Sequence, residues 1–212
     1  MKLISLQRRS RFVWKLAAIP LLTIAIFLAP ASMQSELVYA RASVANGEYW
    51  RLVTAHFVHQ DARHLALNLT SWILMTTWGH FVLQQTLSWT KTVFSCCLMV
   101  GLGLFYFDPQ IPAYIGLSGV LYGSFVADLT ISALVSNQLA RLGLVLVFGK
   151  LLFDKFFGHD FGSLLLSPSQ ISAVHAHLWG ALTGCCFGIW NRFCRLSPNR
   201  HASTSCVRND AP

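Results

Sequence analysis

"VHAHLWGALTGCCFG", residues 174–188, decides how the rest of the chain must be read. Gly180, Gly184 and Gly188 recur every fourth residue, so a helix lays them along one face, and small residues on one face let a second backbone approach closely. His177 lies three residues before Gly180 and projects from the same side. His175, two residues earlier, falls on a different face and reads as turned toward the loop. An ionisable group on the contact face of an apolar helix is costly in hydrocarbon and points to function. The competing reading of His177 is a buried histidine satisfied by a backbone carbonyl.

The composition of the whole chain agrees with a membrane setting. Of its 212 residues 54% are hydrophobic and 11% charged, against roughly 45–50% and about 25% in soluble domains. The net charge of +8 does not form the basic stripe that nucleic-acid binding needs. Basic residues gather instead at the two ends: Lys2, Arg8, Arg9, Arg11 and Lys15 precede the first apolar run, and Arg192, Arg195, Arg200 and Arg208 follow the last. Flanking clusters of this kind hold both termini on the cytoplasmic side.

Spanning the hydrocarbon core takes about 20 apolar residues. Segments near 12–31, 64–83, 90–107, 116–134, 139–157 and 171–190 approach that length. Six crossings agree with two cytoplasmic ends and leave Lys91 and Arg141 in the inner loops. The expected fold is an all-α membrane protein: a basic N-terminus at 1–11, a six-helix bundle at 12–190, and a basic, disordered tail at 191–212. The first segment has an alternative reading as a cleavable signal peptide ending near "APAS", which would leave five spans and a basic tail outside. The outer loop 32–63, with Trp50, suits an element lying in the interface. The loop near 158–170, with Gly158, Gly162 and Pro168, reads as a mobile cap. The six cysteines show no C-x-x-C or zinc-ligand spacing and read as free thiols. No inverted repeat of the kind transporters carry is visible.

Span four opens with "GLSGVLYG", residues 116–123. Ser118 sits at its outer start, either as a small packing residue or as a nucleophile. It is not a nucleophile elbow, because Val120 stands where G-x-S-x-G requires glycine. Span six also runs inward from the outside, so His177, about 9 Å along it, lies at a depth comparable with Ser118. The glycine face of span six is expected to meet Gly116, Gly119 and Gly123. That contact can bring an imidazole nitrogen within reach of the serine hydroxyl, the geometry of general-base activation. Span two opens "DARHLALN", where His64 and Asn68 share a face and Asp61 is placed to cap the helix. Both can donate hydrogen bonds to the oxyanion of a tetrahedral intermediate. A metal site built from His56, His59, His64 and His177 is the rival use. HExxH is absent and no carboxylate accompanies the histidines at ligand spacing, so no metal or other cofactor is expected. Asp128 lies about 15 Å deeper than Ser118 and reads as a structural hydrogen-bonding group.

Together these pieces resemble the rhomboid intramembrane serine proteases: "EYWRLVTAHFVH" at 48–59, "HLALN" at 64–68, "GLSGVLYG" at 116–123 and "AHLWGALTG" at 176–184, in family order. The resemblance implies a Ser118–His177 dyad without an aspartate, and an oxyanion site from the Ser118 amide with His64 and Asn68. It also implies Tyr122 stacked on the catalytic imidazole and a structural role for the Trp50–Arg51 pair. The absence of a soluble domain, with "GLSGVL", looks most like the rhombosortases of Gram-negative inner membranes. Their substrates would be single-span proteins with a C-terminal Gly-Gly motif, an apolar helix and a basic end. Tyr122 departs from that subgroup, where histidine is the common residue. A catalytically inactive rhomboid relative that binds membrane proteins is the alternative, and such relatives usually lack the serine or the histidine.

Overall fold

The computed structural model describes residues 17–81, 89–157 and 171–196. The basic N-terminal cluster, the 158–170 cap and the tail beyond residue 196 lie outside the described residues. Helix α1 covers Ala17–Phe27. The connection that follows is built from short pieces: α2 (Ala31–Ser35), β1 (Tyr39–Ala40), α3 (Arg41–Ala45), α4 (Arg51–Thr54) and a 3-10 turn at Ala55–Phe57. Helices α5 (Ala62–Phe81) and α6 (Trp89–Phe107), strand β2 (Ala113–Tyr114), and helices α7 (Ser118–Ala133), α8 (Gln138–Phe157) and α9 (Ile171–Leu196) follow. Among the described residues the architecture is helical, with one two-stranded antiparallel ladder that pairs Tyr39 with Tyr114 and Ala40 with Ala113.

Helix α7 stands at the centre, with residues from Gly119 to Ser132 buried around most of its circumference. Its seam with α9 rests on absent side chains. A Cβ added at Gly180 would collide with the Gly119 carbonyl oxygen, one at Gly184 with the Gly123 carbonyl oxygen, and one at Gly188 would lie 3.0 Å from Ala127 O. The pairing advances in the same sense along both helices, so α7 and α9 run parallel. On α5, Gly79 abuts the Asp128 carboxylate while His64 abuts Gly116, which makes α5 parallel to α7 as well. Helices α6 and α8 run the other way: Cys96 meets Gly123 while Gly103 meets Trp179, and Gly143 meets Leu129 while Lys150 lies over Tyr122. Helices α5 to α9 therefore alternate in direction.

Burial is distributed as in a body solvated by lipid. Leu74, Phe94, Val145, Leu146 and Phe156 are turned outward, whereas Asn68, Thr92, Thr130, Asp154 and His177 are buried. Polar groups are kept between the helices, while the outer faces need only be apolar. Ile19 of α1 joins Trp72, Val93, Cys96, Leu117, Val120 and Leu121 in one core cluster.

The six crossings are not all evident from composition, and the reading of the tail needs correction. By length and hydropathy only Thr90–Phe107 among the described residues qualifies outright as a crossing helix. Helix α7 has 16 residues, and α8 carries Arg141, Lys150, Asp154 and Lys155. Glycines and polar residues on the inner faces lower the hydropathy of helices whose outer faces are apolar. The stretch Asn191–Leu196, read as the start of a disordered tail, is helical: α9 runs on to Leu196, and Asn191 Nδ2 donates to Phe187 O at 2.9 Å. No helix breaker occurs before Pro198, so α9 continues past the end of its apolar run.

Candidate active site

The loop before α7 is tied down from several sides. Gly116 adopts φ +116°, a left-handed conformation in which any Cβ is strained, and its Cβ direction is already filled by the His64 ring at 2.8 Å. Its amide donates to Ala55 O at 3.0 Å, and its carbonyl accepts from Tyr114 Oη at 2.6 Å. Tyr114 is buried, which pushes its phenol above the ordinary range and keeps it a donor. The His56 ring packs edge-on against Tyr114 at 5.5 Å, and His56 Nε2 donates to Cys97 O at 2.9 Å. Helix α7 starts at Ser118 immediately after this clamp. As a first-turn residue, Ser118 has an amide with no intrahelical acceptor. Its side chain is half-buried.

His177 is buried on α9 at 4% exposure. The Gly119 Cβ direction points at Ala176 O, 2.9 Å away. Their neighbours in the chain, Ser118 and His177, therefore lie at one level of the α7–α9 seam. Tyr122, one turn below Ser118, stacks on the His177 ring with centroids 4.3 Å apart and planes inclined by 21°. Gly119, Gly180 and Gly184 line the seam. Gly116 does not; it serves the α5 side, because the turn before α7 directs it at His64.

His64 and Asn68 converge on that turn. The Cβ direction of Gly116 is 2.9 Å from His64 Nε2 and 4.0 Å from Asn68 Nδ2. Asp61 Oδ1 accepts from the His64 amide at 2.7 Å, the capping role its position suggests. Asn68 is 4% exposed, and its Nδ2 has no hydrogen-bond partner among the described residues. A buried amide left without a partner is destabilising unless a ligand supplies the acceptor.

The remaining histidines have structural surroundings. Burial holds His56 down at about 4, against its ordinary 6.5. Burial, then the nearby His64, lowers His59 to about 4 as well. Both are neutral near pH 7, and His56 spends its Nε2–H on a backbone carbonyl. Among the described residues no three His, Cys, Asp or Glu side chains gather at a common point. His175 turns toward the loop that follows α6. Its Nδ1 is 2.6 Å from Asp108 Oδ1, and Asp108 Oδ2 accepts from Trp179 Nε1 at 2.7 Å, so the end of α6 is bound to α9 beside His177. Sequence reasoning missed Asp108 and Tyr114. Asp108 stands 71 positions from Trp179, and no local pattern marks such a pair.

Arg51 holds the outer connection together. It is buried and bridges Glu36 at 2.9 Å and Glu48 at 2.5 Å. Its Nη1 donates to Ser35 O at 2.7 Å and Val38 O at 2.9 Å. Trp50 donates to Glu36 O at 3.1 Å. The pair is structural, as the resemblance implies. Asp128, against Gly79 and away from His177, is likewise outside the site.

A Rhomboid domain model matches residues 46–192, which takes in every residue of this site. The chain belongs to the rhomboid family and is an integral membrane protein. The family typically comprises serine intramembrane proteases that act on transmembrane substrates within the bilayer. No curated protein matches the chain significantly.

Proposed function

We propose that the protein is a six-span intramembrane serine endopeptidase with Ser118 as nucleophile and His177 as general base. The observation that carries this reading is the Tyr122–His177 stack, one turn below Ser118 on a glycine seam. The stack orients the imidazole, and the seam sets serine and histidine at one depth. Ser118 Oγ attacks the substrate carbonyl carbon as its proton passes to His177. The oxyanion is received by the Ser118 amide with Asn68 Nδ2 and the His64 ring. His177 then protonates the leaving amine, and a water activated by His177 releases the acyl group. The unpartnered Asn68 amide supports the oxyanion assignment.

The alternating helix directions and the basic ends support six crossings with both termini cytoplasmic, which sets Ser118 near the outer face. The preferred substrates are single-span proteins whose C-terminal anchor has a Gly-Gly segment, an apolar helix and a basic end, as in the rhombosortase subgroup of Gram-negative inner membranes. Glycines weaken helix locally and give the extended backbone a serine must reach. A binding module without activity is the other reading, and the presence of both Ser118 and His177 speaks against it.

A serine-reactive fluorophosphonate applied to membranes should label the wild type but neither Ser118→Ala nor His177→Ala. Hydrolysis of any substrate by purified Ser118→Ala protein would remove the dyad. In the host, deletion of the gene should leave Gly-Gly-tailed proteins with the tail attached by mass spectrometry. Normal processing there, with cleavage of an unrelated single-span protein, would leave a general rhomboid protease.

A further inference from the structure

Helix α8 contributes nothing to the site described so far, yet it places an ion pair at its level. Asp154 is wholly buried, and it pairs with Lys150 one turn earlier on the same helix. The second carboxylate oxygen, Oδ1, has no hydrogen-bond partner among the described residues. The Lys150 ammonium lies over the Tyr122 ring at 5.7 Å from its centroid, within the range of a cation–π attraction. That same ring stacks on His177. Three helices are thereby joined in sequence: Asp154 and Lys150 on α8, Tyr122 on α7, His177 on α9.

Such a pair is an expensive way to fill space. In an apolar setting, packed hydrophobic residues of the same volume are often as stabilising or more so, because the buried carboxylate must lose its solvent. What a packed aliphatic could not do is hold an aromatic ring by its face. Tyr122 also packs against the cluster of Val126, Leu151 and Ala181, but apolar contacts are non-directional and leave a ring some freedom to tilt. A cation fixed by a buried carboxylate attracts the ring's electron-rich face and removes that freedom.

We propose that Lys150, anchored by Asp154, is a positioning residue that sets the plane of Tyr122 and, through it, the orientation of the His177 imidazole. The inference rests on the proposed role of His177, but its test reads the stack and not turnover. In full-length protein in detergent, labelled with 13C at histidine Cε1, the ring current of Tyr122 displaces the His177 resonance. Tyr122→Leu identifies that resonance and marks its undisplaced position. On the alkaline plateau, where the imidazole is neutral, Lys150→Met should move it at least half of the way to the Tyr122→Leu position, and Lys150→Arg should leave it near the wild type. Peptidase assays should show the Lys150→Met loss in kcat, with KM little changed and Arg restoring most of it. If Lys150→Met does not fold, Asp154→Asn releases the ammonium at constant volume and should give the same displacement. A wild-type resonance position in a folded Lys150→Met or Asp154→Asn protein would overturn the proposal. A displaced wild-type resonance in a protein without peptidase activity would instead refute the proposed function and leave the positioning intact.

Discussion

Replacing Gly180 by alanine tests the central seam, and Gly149→Ala supplies its opposite. The Gly180 Cβ would overlap the Gly119 carbonyl oxygen and come within 3.3 Å of the Gly123 amide. Both neighbours are backbone, so no side chain can swing aside and the helices must separate. Overpacking of this kind typically costs about 1–3 kcal/mol, and a seam opened by 0.5–1 Å forfeits roughly a quarter to a half of the dispersion energy of each contact along it. The gain in helix propensity from glycine to alanine returns only about 1 kcal/mol. A net loss of about 2 kcal/mol follows. At roughly 2–4 °C per kcal/mol for a chain of this size, Tm should fall by about 4–8 °C. A Cβ at Gly149, on α8, meets nothing within 4 Å. Gly149→Ala should therefore stabilise by up to about 1 kcal/mol and raise Tm by a few degrees. Tryptophan-fluorescence melting in detergent reads both, and peptidase activity should fall with Gly180→Ala as His177 leaves the level of Ser118. A Gly180→Ala protein that melts at or above the wild type would refute the close α7–α9 approach.

Asn68→Ala should lower kcat with little change in KM, by less than the 10²–10³ that a strong oxyanion donor contributes, since the serine amide and His64 remain; a pure rise in KM would assign Asn68 to substrate binding. His56 has a folded pKa of about 4 against 6.5 unperturbed, so its contribution is present in full above pH 6.5 and is lost as pH falls toward 4, by about 3 kcal/mol at the lower end. Melting temperature should decline over that window, and His56→Asn should flatten part of the slope, His59 carrying the rest; an unchanged slope would show that His56 does not resist protonation. Arg51→Lys should destabilise the outer connection by about 2 kcal/mol or more, because a single ammonium cannot reach two carboxylates and two carbonyls at once. Limited proteolysis of residues 32–57 reads this, and wild-type resistance in the variant would count against the clamp.

Some of this molecule follows from the chain alone, because periodicity and polarity are local. Glycines four apart on α9 must share a face, and a histidine three residues before them must lie beside that face. His64 and Asn68 at i, i+4 must project together, and Asp61 is where a helix cap belongs. The long helices could be placed to within a few residues by their apolar runs, although the end of α9 could not, since helix propensity outlasts hydrophobicity there. What the tertiary structure alone decided are meetings between distant segments. Gly116 turns toward His64 and not toward α9, because the backbone before α7 is held in a left-handed turn by Ala55 and Tyr114. His175 finds Asp108 in the loop that follows α6. Lys150, which in sequence is only a charge in an apolar segment, lies over Tyr122 because α8 runs antiparallel to α7 at the depth of the site. No local pattern encodes these contacts. Each depends on where a helix lands relative to its neighbours, and that is set by the summed packing of the whole bundle.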